Sequence, residues 1–386
     1  MKTFAEINER LKAGRAVVLT AEEVVPLVRE KGPRAVAEQV DVVTTATFGP
    51  MCSSGVFINF GHSDPPIRMS KVWLNDVPAY AGVAAVDAYL GATELSESSG
   101  MEYGGANVIE DLVAGKQVKL RAVSHGTDCY PRREIETMVD LSHLNQVYLF
   151  NPRNAYQNYP VAVNSSNKML YTYMGTLLPH LGNANYSSAG ELSPLLNDPY
   201  YRTIGIGTRI FLSGATGYVA WEGTQHNPSQ NRTENGIPVS GAGTLALIGN
   251  LKEMNSRYLR AALFDRYGIT MYVGVGIPIP MLDEEMARAV GAGNDEIFTT
   301  VVDYSVPRRS RPALGQVSYA QLRSGAIELN GRRIPTGSLS SLSRAREIAG
   351  TLKTWLSEGR FLLQEPVQTL PLHTRQNPLQ DGEDRA

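Results

Sequence analysis

Two short apolar runs of β type, Val40 to Thr45 and Val118 to Val123, each lead into a turn rich in glycine, proline, serine and aspartate. Each turn carries a cysteine, Cys52 and Cys129, and the 386-residue chain has only these 2. Strands that end in such turns point to packed sheets with displayed loops, because the scaffold fixes a loop's ends and leaves its middle accessible. A cysteine kept only for packing more often lies inside the apolar run. The plain alternative is a pair of inert thiols or a structural disulfide.

The surroundings of the two thiols differ. His125, Arg132 and Arg133 lie close in sequence to Cys129 and favour its thiolate, the reactive form, whereas Asp128 opposes it. Cys52, in Thr47-Phe48-Gly49-Pro50-Met51-Cys52-Ser53-Ser54-Gly55, has no charged residue nearby in sequence.

Along the chain, Thr3-x-x-Glu6 and Thr20-x-x-Glu23 read as capping boxes that open helices on either side of a short strand, Ala16 to Leu19, and Pro26 should kink the second helix. Strands are expected at Val40 to Thr45, Gly55 to Phe60, Lys71 to Val77, Val118 to Val123, Glu134 to Leu141, Gln146 to Phe150 and Lys168 to Tyr173. Helices are expected after Ala81, over Ala106 to Val113 and over Ser256 to Phe264. Further on come a strand Ile269 to Gly274, a helix Asp283 to Val290, a strand Glu296 to Tyr304, a hairpin turn at Asn330-Gly331 and an amphipathic helix bearing Leu342, Ala345, Ile348, Leu352, Trp355 and Leu356. The fold class is α/β, mixed and strand-rich: one large catalytic domain over residues 1–370, with mixed sheets flanked by helices, then a polar tail, 371–386, expected to be disordered.

Several function classes lose support. The formal net charge is −2 and no lysine or arginine block supplies a phosphate footprint, which argues against nucleic acid. No apolar stretch reaches membrane-spanning length and the N-terminus reads as a helix start, so no membrane is expected and the location is cytoplasmic. The six histidines are scattered with no metal-ligand spacing, and two cysteines are too few for a ferredoxin-type cluster, so no metal and no bound cofactor are expected. Gly241-Ala242-Gly243-Thr244-Leu245-Ala246 has the outline of a dinucleotide turn but lacks its preceding strand and following helix, which favours a plain glycine turn. The polar loop Glu222 to Gly236 reads as a surface excursion or a lid. Eighteen tyrosines against nine phenylalanines suit pocket walls with an apolar face and a hydrogen-bonding tip, although most are ordinary strand tyrosines.

Four segments together resemble the anaerobic homocysteine-biosynthesis family, the L-aspartate semialdehyde sulfurtransferases. They are Asp41 to Gly55, Tyr103-Gly104-Gly105-Ala106, His125-Gly126-Thr127-Asp128-Cys129-Tyr130-Pro131, and Asn151-Pro152-Arg153-Asn154-Ala155-Tyr156-Gln157-Asn158-Tyr159. In order and spacing the resemblance covers roughly the first 365 residues, and both family cysteines have counterparts, Cys52 and Cys129. Some members continue into paired regulatory modules or an iron-sulfur segment, and neither pattern is read in this sequence.

The resemblance implies that aspartate semialdehyde and sulfide-derived sulfur become homocysteine, a step toward methionine in anaerobes. Exchanging an aldehyde oxygen for a thiol on a saturated carbon requires two electrons besides the sulfur, which gives a pair of thiols a rationale. On this expectation Cys129 carries a persulfide, Cys52 resolves it through a disulfide, and His125 donates a proton. Arg132 or Arg133 clamps the substrate carboxylate, and Asn154 and Tyr156 contact the substrate. The implied partners are a sulfide or persulfide donor and a small ferredoxin-like electron donor. The alternative function is a non-catalytic persulfide carrier, and a third is a small-molecule binding module with incidental cysteines. The oligomeric state stays open, a homodimer included.

Overall fold

The computed structural model describes residues 1–374, 376, 377 and 379. Both capping boxes form: Thr3 and Glu6 close the helix Phe4–Lys12, and Thr20 and Glu23 close the helix Ala21–Lys31, which runs through Pro26. These helices serve as an anchor for the strand Val42–Pro50. Asp41, just before it, is 1% exposed, and its carboxylate meets Lys2 Nζ at 3.0 Å, Arg10 Nη1 at 2.8 Å and the Val17 amide at 2.9 Å. A buried carboxylate is tolerable only with such a set of partners.

Val42–Pro50 is buried at every position but its last, so it behaves as a strand covered on both faces rather than one with a wet side. It pairs antiparallel along its whole length with the long strand Gly268–Pro280, from Val42 opposite Pro280 to Pro50 opposite Tyr272. The amphipathic helix Leu342–Ser357 lies across it with Ala345, Ile348, Ala349, Leu352 and Leu356 buried, and Thr44 Oγ1 donates to Ala349 O at 3.0 Å. This pair sits in a 14-stranded mixed sheet whose order continues through Arg209–Leu212, Ala215–Glu222, Leu245–Asn250, Val147–Asn154, Gly55–Asn59, Asp87–Gly91, Val77–Ala84, Lys71–Leu74 and Val118–Val123 to Glu134–Val139. A second sheet of six strands runs Ala313–Ser318, Phe298–Asp303, Val161–Val163, Ala184–Tyr186, Arg332–Ser338, Ala326–Leu329 and has its own core. The architecture is mixed α/β and strand-rich, with large sheets flanked by helices, in line with the sequence.

Two expected helices are strands instead. The apolar stretch after Ala81 is the rest of Val77–Ala84 and a return strand, Asp87–Gly91, whose alternating burial has period two. Ser256 to Phe264 contains the strand Leu259–Phe264, which turns back at Asp265 to Tyr267 and pairs with Gly268 to Val273. Its leucines and alanines suit a helix, but six ladder positions on a long buried strand outweigh that local preference.

The glycine outline at Gly241 leads directly into the strand Leu245–Asn250, as a plain turn should. A Cβ on Gly243 would lie 2.2 Å from the Tyr201 hydroxyl, and one on Gly105 would lie 1.9 Å from Gly91 O, so close backbone approach accounts for both glycines. The loop after Glu222 is stapled by the buried His226, whose Nδ1 accepts from Thr244 N at 3.1 Å and whose Nε2 meets Pro371 O at 3.0 Å. Of the tail, Thr374 Oγ1 donates to His226 O at 2.7 Å, and 375, 378 and 380–386 lie outside the described residues.

Replacing Asp41 by alanine strands Lys2 beneath the start of Val42–Pro50. Stability should fall by about 2 to 3 kcal/mol, at or below the usual cost of breaking a buried pair because Arg10 is half exposed. A urea midpoint equal to that of the parent protein would show that the cluster does not anchor the strand.

Candidate functional site

The register of the central pair positions Cys52. Continuing it two places past Pro50 and Tyr272 sets Cys52 opposite Thr270, and Met51 N still donates to Met271 O at 2.7 Å. Thr270 Oγ1 accordingly donates to Cys52 Sγ at 3.3 Å. The hairpin before Gly268 brings Tyr267 into the same cavity as Cys52, and burial first, then the charge and hydrogen bond of Cys52, push the Tyr267 phenol up from its ordinary value.

The cysteine turn is itself fixed. Ser54 N donates to Met51 O at 3.1 Å, Ser54 Oγ to the same oxygen at 2.8 Å, and Asn151 Nδ2 donates to Ser54 Oγ at 2.7 Å. Ser53 Oγ lies 3.2 Å from both Asn151 Oδ1 and Arg153 O. Because Phe150 pairs with Gly55, the polar aromatic segment starting at Asn151 is carried alongside the turn by the sheet itself.

Cys52 opens into a cavity of about 550 Å³. One wall is tyrosine: Tyr156 and Tyr159 meet edge to face at 4.9 Å, Tyr173 and Tyr267 at 6.3 Å. The Tyr159 hydroxyl donates to Tyr173 at 3.3 Å and Tyr304 donates to Tyr173 at 3.1 Å. Burial is the first cause that raises Tyr156, Tyr159 and Tyr304, so these phenols stay neutral donors at ordinary pH. The other wall is cationic, with Arg153, Arg309 and Arg311, and among the described residues no acid lines the cavity. Arg153 Nε is held by Thr224 Oγ1 at 3.0 Å and Gln225, from the stapled polar loop, reaches the rim. A thiol beneath neutral donors and unopposed cations can serve as a nucleophile toward a small anionic electrophile.

Of the sequence candidates, Cys52 and Tyr156 are brought together in this cavity. Asn154 is fully buried beside it, with Oδ1 accepting from the Ala155 amide at 2.6 Å. Cys129 is exposed in a tight turn, where Thr127 N donates to Tyr130 O at 2.9 Å. That turn packs on the segment after Asn59: the Tyr130 ring stacks 5.9 Å from His62, Arg132 N donates to Pro66 O at 3.2 Å and its Nη2 to Asp64 O at 3.0 Å. Cys52 lies before the start of the strand Gly55–Asn59, and the Cys129 turn packs on the chain that follows the end of that strand. Both thiols are free. No disulfide joins the two in this conformation, and Cys129 does not line the cavity that Cys52 opens into. His125, Arg132 and Arg133 stay with the Cys129 turn and do not line the cavity.

Thr270, Tyr267, Arg153 and Arg311 escaped sequence reasoning. Arg153 lay within the named segment Asn151 to Tyr159, but Thr270 and Tyr267 become visible only through strand register, which the helix expected at Ser256 to Phe264 concealed. Among the described residues there is no group of three or more His, Cys, Asp or Glu placed to hold a metal, and no helix long and apolar enough to cross a membrane.

Residues 16–363 match the family described as homocysteine biosynthesis enzyme, sulfur-incorporation. The chain belongs to that family. It is 54% identical over 369 residues to a Methanosarcina acetivorans protein named L-aspartate semialdehyde sulfurtransferase, with 96% of this chain and 72% of that one covered. A Methanocaldococcus jannaschii protein of the same name is 52% identical over 385 residues, covering 96% and 73%. An uncharacterized protein of Methanothermobacter thermautotrophicus is 29% identical over 361 residues, covering 87% and 78%. No solved structure matches the chain.

Thr270→Val keeps the buried shape and deletes the donor to Cys52. Alkylation of Cys52 by iodoacetamide at neutral pH should slow about tenfold, the worth of one hydrogen bond to a charged group. An unchanged rate at the Cys52 peptide would remove Thr270 from the site.

Proposed function

We propose that this protein is an L-aspartate semialdehyde sulfurtransferase that makes L-homocysteine, with the chemistry at Cys52. The observation that carries the reading is the placement of Cys52 at a cavity lined by neutral phenols and by arginines, with no acid among the described lining residues. The names of the two relatives above half identity support the substrate.

Net conversion takes aldehyde, hydrogen sulfide, two electrons and two protons to thiol and water. A persulfide donor passes its outer sulfur to Cys52 by exchange and leaves as its own thiol, so the site needs no oxidant. Aldehyde and Cys52 persulfide then take up four electrons and four protons to give thiol, water and free Cys52, two more electrons than the net count because the donor's sulfur already stands two electrons above sulfide. The persulfide adds to the aldehyde carbon, forming the carbon–sulfur bond as the carbonyl π bond opens, and the oxygen gains negative charge and then a proton. Two electrons then cleave the sulfur–sulfur bond to free Cys52 and a hydroxythiol, which loses its hydroxyl as water to give a thioaldehyde that the second electron pair reduces to the thiol. Tyrosine hydroxyls of the wall are suited to hold that oxygen, since donors in a partly dry site act most strongly where charge develops. The reductant is external, and a small ferredoxin-like protein is the candidate that the family resemblance implies.

The geometry favours a division of labour different from the one read in sequence. Cys52 is where sulfur meets the aldehyde, because it alone of the two lines the cavity of about 550 Å³. Cys129, exposed on its turn, is placed to exchange sulfur or electrons with a partner.

Cys52→Ser should form no homocysteine from semialdehyde, sulfide and reductant under any condition, since oxygen cannot carry a transferable sulfur. Cys129→Ser should keep measurable turnover when a soluble polysulfide and a small chemical reductant replace the protein partners. Activity in Cys52→Ser, or none in a folded Cys129→Ser under those conditions, would reverse the assignment.

A further inference from the structure

The three cavity arginines are not equivalent. Arg309 is exposed and leans on Gln376 at 3.4 Å, so solvent screens it. Arg153 has its Nε committed to Thr224. Arg311 is different: its guanidinium carbon lies 3.9 Å above the Tyr304 ring, and its Nε is buried with no hydrogen-bond partner among the described residues. Tyr304 is itself locked through Tyr173, so the platform under Arg311 is rigid.

A buried guanidinium donor left unmade is unfavourable, and a planar anion is the ligand whose geometry completes it. Among the described residues the cavity contains no carboxylate that could compete for Arg311, and equally none that could meet a ligand's ammonium group. A cation in this cavity would have only aromatic faces and neutral oxygens to rest on, which is the weaker grip.

We propose that Arg311, supported by Arg153, binds the carboxylate of the substrate, and that the cavity selects aldehydes by their carboxylate more than by their amino group. The proposal rests on the cavity's being the semialdehyde site, and it assigns the specificity of that site to residues outside both cysteine motifs. It also separates Arg311 from Arg132 and Arg133, which lie with the exposed Cys129 turn.

Two reagents of the same reactivity class and different charge test the assignment without any turnover. Iodoacetate carries a carboxylate and iodoacetamide does not, so the ratio of their rates at the Cys52 peptide reports the anion site, with the ratio at Cys129 as internal control. Arg311→Gln should lower the Cys52 ratio about tenfold, the worth of a lost charge-assisted hydrogen bond, and leave the Cys129 ratio within about twofold. Arg311→Lys should restore part of it, since a point charge replaces the planar fork. An unchanged Cys52 ratio in Arg311→Gln, or an equal fall at both cysteines, would overturn the assignment. In the turnover assay, succinic semialdehyde, which lacks the amino group, should be a better substrate than 3-aminopropanal, which lacks the carboxylate, and the reverse order would also overturn it. A parent protein that makes no homocysteine, yet shows the Cys52-specific fall in Arg311→Gln, would strike the proposed function and leave the anion site standing.

Discussion

The site depends on one strand pairing. Val42–Pro50 and Gly268–Pro280 run antiparallel without a break for nine residue pairs, and the same register, extended past the end of the ladder, sets Cys52 against Thr270 and next to the hairpin that holds Tyr267. A slip of one residue would turn every side chain of a strand to its other face, so burial of Val42–Pro50 on both sides also protects the position of the thiol. The Asp41 cluster at one end and the Asn151 to Ser54 bond at the other hold the strand along its axis. The cysteine is therefore carried in a turn that the sheet fixes at both ends, which favours a fixed nucleophile.

The cavity above it joins two sheets. The 14-stranded sheet contributes Cys52, Arg153 and Tyr267, and Tyr159, Ser187 and Ser340 come from chain flanking strands of the six-stranded one. Phenols kept neutral by burial, and arginines with no acid beside them among the described residues that line the cavity, make a site that takes up negative charge. Such a site suits addition of a sulfur anion to a carbonyl, in which negative charge moves from sulfur to oxygen and never leaves the cavity.

Much of this architecture was legible in the sequence, and the gaps have physical causes. Both capping boxes, the apolar strand before each cysteine, the Asn330-Gly331 hairpin and the final amphipathic helix follow from local rules, because their signals lie within a few residues. Leu259–Phe264 was misread because its composition suits a helix and only the distant strand Gly268–Pro280 makes it a strand. The cations of Cys129 are adjacent in sequence and legible there, whereas those that share the cavity of Cys52 arrive from about 100 and 260 residues away, at Arg153 and Arg311. Charge that tertiary structure assembles around a thiol leaves no signal in the residues next to it in sequence.

The central claim is that sulfur meets the aldehyde at Cys52. Its most direct test is site-resolved mass spectrometry of the parent protein loaded with persulfide, capped by alkylation before and after one equivalent of aspartate semialdehyde is added without reductant. The account predicts that the persulfide on the Cys52 peptide is consumed as the semialdehyde is added, with any on Cys129 following only afterwards. Depletion confined to Cys129, with the Cys52 persulfide intact, would contradict it.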